Sequence, residues 1–262
     1  MAANSEEKTT GHNAGIWEKP PPSLKQWATA VSPEVIAAAK RGQWEIQLTP
    51  SVSVPASWLG GIAGSDLLGL AAGGGQQGPL LAAAGANVTT LDISQAQLDL
   101  DLAVATRDGL KLRVVHGDMR DLSMFDDACF DTVIFPSAIS YIDEPQQVWN
   151  ECHRVLKPGG ALLAGFTNPW VYIFDWASHT VGNLVVRHPL PFSDADDLPS
   201  DERQAFVDDG TALEWSHTLE SLIGGQLKAG FKIEDMFEDR QEALALAKFV
   251  PTSIATRSVR PK

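Results

Sequence analysis

The sequence predicts a doubly wound, Rossmann-like α/β fold around a mostly parallel sheet. Between residues 65 and 167, short apolar runs alternate with amphipathic stretches. A glycine turn at residues 73–75 follows the first apolar run, and a proline–glycine stop at residues 158–160 precedes the fifth. Strands that alternate with helices need crossover connections, and these give parallel strands covered by helices on both faces.

Each element is predicted from its local pattern. Residues 66–71 form an apolar run that ends in glycines, as expected of a strand buried on both faces. The other predicted strands are 87–91, 112–116, 130–135, 161–166, 231–237 and 252–259. The predicted helices of the same region are 76–84, 94–108, 144–156 and 219–229. A hairpin would place the last strand antiparallel to its neighbour, so the sheet is expected to have seven strands.

The chain is predicted to add two segments to one α/β domain. Residues 1–15 are polar, without the apolar stretch of a targeting peptide, and are expected to be a disordered tail. Residues 16–58 are expected to form an N-terminal cap, in which Ser32 caps a helix over 33–41. The domain itself is predicted to span 59–262, with a lid insertion over about 168–215. In such folds the additions carry the specificity.

Charge and composition exclude several kinds of partner. The 262 residues carry a net charge of −13, which argues against nucleic acid, since that binding depends on clustered lysine and arginine. No apolar run reaches the roughly 18 residues that a membrane span needs. Cys129 and Cys152 are interpreted as reduced thiols. We therefore expect a cytoplasmic monomer or homodimer that acts on a small molecule.

The glycine turn is the candidate cofactor site. Glycine allows a sharp turn and lets a ligand lie against the backbone. Gly73, Gly75 and Gly78 match the fingerprint of dinucleotide-binding proteins. Asp92 ends the next strand, where a carboxylate can accept the hydroxyl groups of a ribose. These residues alone leave open an NAD(P)-dependent oxidoreductase and an enzyme with another adenosine cofactor.

Five segments, taken together, carry a family resemblance. They are DLLGLAAGGGQQ, VTTLDIS, HGDMRDL, FDTVIF and HRVLKPGG, in this order between residues 65 and 166. This set resembles the class I S-adenosylmethionine-dependent methyltransferases, in particular the bacterial small-molecule group with a methyltransferase type 11 domain. The resemblance implies methyl transfer from S-adenosylmethionine, with S-adenosylhomocysteine as product, to an oxygen, nitrogen or carbon of a small, partly apolar metabolite. The absence of a Tyr-x-x-x-Lys pair argues against the oxidoreductase.

The resemblance also implies how the cofactor is held. Asp92 would hold the ribose, and Ile93 would pack on the adenine. Gly73 and Gly75 would flank the methionine part, with the carbonyl of Ala71 near its amino group. The other expected contacts, at the adenine edge, the sulfonium side and the glycine turn, are Asp118, Met119, Pro136, Ser137, Gln76 and Gln97.

Two positions depart from the pattern of the family. The family usually has an acid two residues before the first motif glycine, and this chain has Gly69 there. The first motif glycine is itself replaced by Ala71. Contacts to the amino group of the cofactor would then fall to other residues, and Gln76 or Gln77 is expected to supply the missing polar partner. A methyltransferase-like binding module without activity stays open as a third interpretation.

The acceptor pocket is expected between the two added segments. Tryptophans are concentrated outside the regular domain, and large amphipathic rings there indicate a lid over a partly apolar pocket. They are Trp17, Trp27, Trp44 and Trp58 before the glycine turn, and Trp170, Trp176 and Trp215 after the fifth strand.

The transfer needs a base only if the acceptor loses a proton. His188 and His217 are the candidate bases, with Tyr141 and Tyr172 as positioning groups. Histidines and carboxylates do not cluster at ligand spacing, so a metal-independent reaction is predicted.

Overall fold

A seven-stranded sheet forms the centre of the molecule in the computed structural model, which describes residues 2–175 and 182–262, with side chains from residue 7 onward. The strands are β1 (Asp66–Leu70), β2 (Asn87–Asp92), β3 (Leu112–His116), β4 (Phe130–Phe135), β5 (Leu156–Thr167), β6 (Lys232–Asp239) and β7 (Ser253–Val259). The order is β3-β2-β1-β4-β5-β7-β6, with β7 antiparallel to both neighbours and the other pairs parallel. The predicted fold class is therefore confirmed.

Helices cover both faces of this sheet. They are α1 (Ala2–Glu18), α2 (Pro33–Ala39), α3 (Ala56–Leu59), α4 (Gln77–Ala83), α5 (Gln95–Asp108), α6 (Pro145–Val155), α7 (Ser200–Asp208) and α8 (Gly225–Lys228). Ser32 and Ser94 cap α2 and α5, because each side chain accepts the N–H of the residue three positions on. A π-helical turn, Glu220–Gly224, precedes α8, so the helix predicted over 219–229 is divided in two.

One strand begins earlier than its pattern predicts. The proline–glycine stop was expected to separate α6 from β5, but β5 starts at Leu156, directly after the helix. Leu156 pairs with Phe130, the register shifts at the next pair, and Gly159 donates its N–H to the carbonyl of Arg260. Gly159 and Gly160 therefore belong to β5, because this part of the chain pairs with its neighbours on both sides.

The N-terminal tail is the clearest error of the sequence-based prediction. Residues 1–15 were expected to be disordered, whereas α1 covers Ala2–Glu18. The buried side chain of Asn13 donates to the carbonyl of Leu213 at 2.8 Å and accepts its N–H at 2.9 Å. The carboxylate of Glu18 accepts the N–H groups of Gln95 and Ala96 at the start of α5. Polar contacts with distant residues stabilise this helix, and its own sequence shows no apolar face that would predict it.

The core lies on both faces of the sheet, and it includes part of the predicted N-terminal cap. Trp58 is buried against the sheet, with its ring 5.2 Å from that of Phe237 and its Nε1–H donated to Asp235. Trp44 packs on the same cluster. These two tryptophans therefore pack the cap onto the sheet.

Candidate functional site

Strained backbone marks the centre of the site. The chain winds outward from β1 to β3 and then returns to β4 beside β1, and open α/β sheets bind ligands at such a switch point. Ala71 follows β1 with a φ of 48°, and Ser137 follows β4 with a φ of 35°. Left-handed backbone at residues other than glycine is costly and concentrates at functional sites. Two predicted cofactor contacts therefore stand beside each other at the switch point.

The glycine turn directs its N–H groups into the protein. Three successive groups are donated inward, from Gly73 to Asp92 Oδ2 (3.0 Å), from Gly74 to the carbonyl of Gln97 (3.0 Å) and from Gly75 to Asp101 Oδ1 (2.7 Å). In a trans peptide the carbonyl points opposite to the N–H, so the carbonyl groups of residues 72–74 face the outer side of the turn. This rim suits a cationic ligand, because a pyrophosphate would need the N–H groups themselves.

Asp92 connects the turn to the following helix. The carboxylate is only 8% exposed, and its second oxygen, Oδ1, accepts the N–H of Ser94 at 2.9 Å. Burial raises the pKa of Asp92, and the nearby carboxylate of Glu18 adds to this effect. The acid at the end of β2 thus lies against the glycine turn, where the sequence analysis expects the ribose to be held.

The expected adenine side is organised by an ion pair. Asp118 lies within 2.5 Å of the guanidinium of Arg120, and the same guanidinium reaches Thr10 of α1 at 3.2 Å. Met119 packs against the hydrophobic core, and the carbonyl of Ile93 is bonded to the ring of His116 at 2.9 Å. Asp118 therefore has an arginine partner that the sequence analysis did not anticipate.

The cap lies directly on the glycine turn. A Cβ built on Gly74 would stand 2.6 Å from the carbonyl oxygen of Trp27, so only glycine allows this approach. Gln76 donates to the carbonyls of residues 26 and 29, and Gln97 donates to the carbonyl of Trp17 at 2.8 Å. Gln76 and Gln97, predicted as cofactor contacts, therefore hold the cap in place in this structure.

A carboxylate missed by the sequence analysis lies on the acceptor side. The hydroxyl of Tyr172 donates to Glu214 Oε2, and the hydroxyls of Thr167 and Ser140 surround the same tyrosine. Thr167 ends β5, whereas Ser140 and Tyr172 lie in the short helical turns that follow β4 and β5. Burial raises the pKa of Glu214 to about 7, and Asp194 adds to the rise. In the sequence, Glu214 is visible only as one acid between two large apolar residues, Leu213 and Trp215.

The predicted bases occupy different surroundings. His217 is buried, and its Nε2 is bonded to the carbonyl of Ile139 at 3.0 Å. His188 stacks on Phe192 with ring centroids 4.0 Å apart. Burial lowers the pKa of both histidines. Both predicted tyrosines lie near Glu214: Tyr172 donates to it, and the pKa of Tyr141 is raised by burial and by the charge of the same carboxylate.

The tryptophans outside the core have separate positions. Trp17 of α1 meets Tyr141 edge to face, with ring centroids 5.9 Å apart. Trp215 is buried in a small cluster with Leu213, while Trp170 is 50% exposed. Trp176 lies outside the described residues. Trp17 thus connects α1 to the segment that follows β4.

Metal and membrane features are not seen in the described part of the chain. Over residues 2–175 and 182–262, His, Cys, Asp and Glu side chains do not form a group of three or more that could hold a metal ion. Within the same ranges, no helix has the length and apolar character needed to span a bilayer.

Comparisons of sequence connect the chain to known proteins. A model of a methyltransferase domain matches residues 68–164, from β1 to β5. The methyltransferase YbaJ of Bacillus subtilis is 43% identical over 249 residues, which cover 95% of this chain and 97% of that protein. Demethylmenaquinone methyltransferase of Clavibacter sepedonicus is 30% identical over 177 residues, covering 66% of this chain and 69% of that protein.

Solved structures share the fold at low sequence identity. An S-adenosylmethionine-dependent methyltransferase from Mesorhizobium loti gives a TM-score of 0.60 at 18% identity, over 78% of this chain and 94% of that one. A corresponding protein from Listeria monocytogenes gives 0.61 at 16% identity, over 79% and 94%. The architecture is thus the one found in S-adenosylmethionine-dependent methyltransferases.

Proposed function

This chain belongs to the methyltransferase family, and we propose that it transfers a methyl group from S-adenosylmethionine to an oxygen, nitrogen or carbon of a small, partly apolar metabolite. The inward-directed N–H groups of the glycine turn carry the proposal. They leave carbonyl oxygens on the ligand side and place Asp92 and Asp101 behind the turn. Such a rim attracts an ammonium or sulfonium group and repels the pyrophosphate of a dinucleotide.

The residues around the turn fit S-adenosylmethionine. A Cβ on Gly73 would lie 2.8 Å from Gln97 Cβ and 3.1 Å from Asp92 Oδ2, so glycine is needed for the turn to pack this closely against α5 and Asp92. Asp92 would hold the ribose hydroxyls, and the carbonyl of Ala71 would receive the ammonium group. Asp118 and Met119 would lie at the adenine edge, with Pro136 and Ser137 on the sulfonium side. When bound, the cofactor supplies an electrophilic methyl group on a sulfonium.

The acceptor would bind between Trp17 and the end of β5. Glu214 Oε1 would take the proton that a hydroxyl or amine acceptor loses, while Tyr172 holds Oε2 in place. A carboxylate with a pKa of about 7 can serve as a base near neutral pH. The Nε2 of His217 is already bonded to a carbonyl, so Glu214 is the better placed base. We take the active form to be a monomer or homodimer.

Calorimetric titration of the purified protein with S-adenosylmethionine, S-adenosylhomocysteine and NAD tests this function. We expect both sulfur compounds to bind and NAD to give no heat of binding. Binding of NAD alone would contradict the proposal, and binding of none of the three to a folded sample would favour an inactive module. Release of S-adenosylhomocysteine then identifies the acceptor. The acceptor panel starts with hydroxylated rings, because relatives are named for demethylmenaquinone and ubiquinone biosynthesis.

A further inference from the structure

A second buried carboxylate lies beneath the glycine turn and has no role in the proposed reaction. Asp101 of α5 is 0% exposed, and its Oδ1 accepts the N–H of Gly75 at 2.7 Å. Its other oxygen faces α4, since a Cβ on Gly78 would stand 2.8 Å from Oδ2 and 2.6 Å from the hydroxyl of Thr90. Burying an acid costs free energy, and a small or apolar residue at position 101 would avoid that cost.

Asp101 stands close to the place of the acid that is absent from position 69. Gly69 of β1 is in register with Thr90 of β2. A Cβ built on Gly69 would point toward the Thr90 hydroxyl at 3.8 Å, and that hydroxyl lies on the same side of Gly78 as Asp101 Oδ2. An acid at position 69 would therefore approach Thr90 from β1, whereas Asp101 approaches the same hydroxyl from α5.

We propose that Asp101 is a positioning residue that takes over the role of the absent acid at position 69 by holding the glycine turn for the methionine end of S-adenosylmethionine. The inference rests on the proposed function. Gly73 and Gly75 are each held by one buried carboxylate, and these bonds keep the carbonyl rim facing outward. The negative charge of Asp101 also favours a cationic ligand group on that rim.

The position of Asp101 makes cofactor binding sensitive to pH. Burial raises the pKa of Asp101 to about 7; Asp92 adds to the rise, and the hydrogen bond from Gly75 in the turn and the nearby hydroxyl of Thr90 on β2 oppose it. Protonation weakens its bond to the Gly75 N–H and removes its charge. Linkage to a group with this pKa lowers the affinity about tenfold between pH 8 and pH 6 if only the ionised form binds.

The experiment is calorimetric titration with S-adenosylhomocysteine at pH 6, 7 and 8. We expect wild-type affinity to fall about tenfold from pH 8 to pH 6. Asp101→Asn keeps an oxygen for the Gly75 N–H but cannot ionise, so its affinity should be more than tenfold weaker than wild type at pH 8 and independent of pH. Asp99→Asn, on the exposed side of the same helix, is the matched control and should behave as wild type.

An acid transferred to β1 tests the replacement itself. Asp101→Ala should lose more affinity than Asp101→Asn, and the double variant Asp101→Ala/Gly69→Asp should regain most of that loss. Thermal unfolding confirms that each variant folds. A double variant no better than Asp101→Ala, or an Asp101→Asn variant with wild-type affinity and pH profile, overturns the inference. A folded wild-type protein that binds no S-adenosylhomocysteine instead defeats the proposed function, and the inference with it.

Discussion

The cofactor side and the acceptor side of this molecule are built from contacts of different range. On the cofactor side, Gly73 bonds to Asp92 and Gly75 to Asp101, pairs that are 19 and 26 residues apart. On the acceptor side, Asn13 bonds to Leu213 across 200 residues. The first side depends on one strand–turn–helix unit and its neighbour, whereas the second exists only after the added segments have docked. Single substitutions should therefore affect cofactor binding and acceptor-side function separately.

Removal of the Glu214 carboxylate should have the largest effect. Glu214→Gln is expected to lower kcat about 100- to 10,000-fold for an acceptor that loses a proton, because the general base is gone. Wild-type rate should fall as pH drops through about 7, where Glu214 becomes protonated, and the variant should lack this inflection. Initial rates against pH measure both. Glu202→Gln on α7 is the control. An equal loss of kcat in this control would contradict the assignment of Glu214 as the base. Weaker binding of S-adenosylhomocysteine to Glu214→Gln would contradict it as well.

Asp92→Ala should damage the cofactor side and spare the fold. The substitution removes the acceptor of the Gly73 N–H and the expected ribose partner. Affinity for S-adenosylhomocysteine should fall by about 1–3 kcal/mol, as measured by calorimetry. Asp99→Ala on the exposed side of α5 serves as the control. Unchanged affinity in Asp92→Ala would show that Asp92 does not bind the ribose.

Glu214 should also make stability depend on pH. Its pKa is raised from 4.5 to about 7 in the folded protein, so folding favours the protonated form. Stability is therefore expected to fall as pH rises from 4.5 to about 7, by at most about 3 kcal/mol. Glu214→Gln should raise the melting temperature at pH 8 and leave it nearly unchanged at pH 4.5. Equal gains at both pH values would show that burial does not raise this pKa.

Asn13→Ala should loosen α1. The substitution leaves both backbone groups of Leu213 without their side-chain partner, at a local cost of about 1–3 kcal/mol. Amide hydrogen exchange in α1 should become roughly 5- to 150-fold faster. His12→Ala removes one exposed contact to Thr211 and should give a smaller change. Exchange in α1 equal to wild type would mean that Asn13 does not hold the helix.

Ala71→Gly tests the strained turn and should have the smallest effect. Ala71 has a φ of 48°, which glycine adopts without cost, so the variant should gain about 1 kcal/mol of stability. Ala72→Gly, at a position without positive φ, should instead lose stability. Thermal unfolding compares the two. A destabilised Ala71→Gly would mean that the left-handed backbone is not a source of strain.

Local patterns predict the first five strands because each strand is a short apolar run closed by turn residues. The sequence also places Asp92 beside the glycine turn, since both lie at carboxyl ends of neighbouring parallel strands. The sequence does not reveal Asp101, because an acid at this position of α5 looks like one of the helix's exposed polar residues. Gln76 and Gln97 are found by position, but their bonds to the cap depend on how residues 16–31 dock.

The sequence by itself determines the doubly wound sheet, the switch point and the acid at the end of β2, because periodicity and glycine spacing act over a few residues. Only the tertiary structure decides that the polar segment before residue 19 is a helix, and that Glu214 meets Tyr172. The same holds for the direction of the glycine N–H groups. These features depend on burial and hydrogen bonds between residues that only the folded chain brings together, and burial is also what raises the pKa of Asp101 and Glu214.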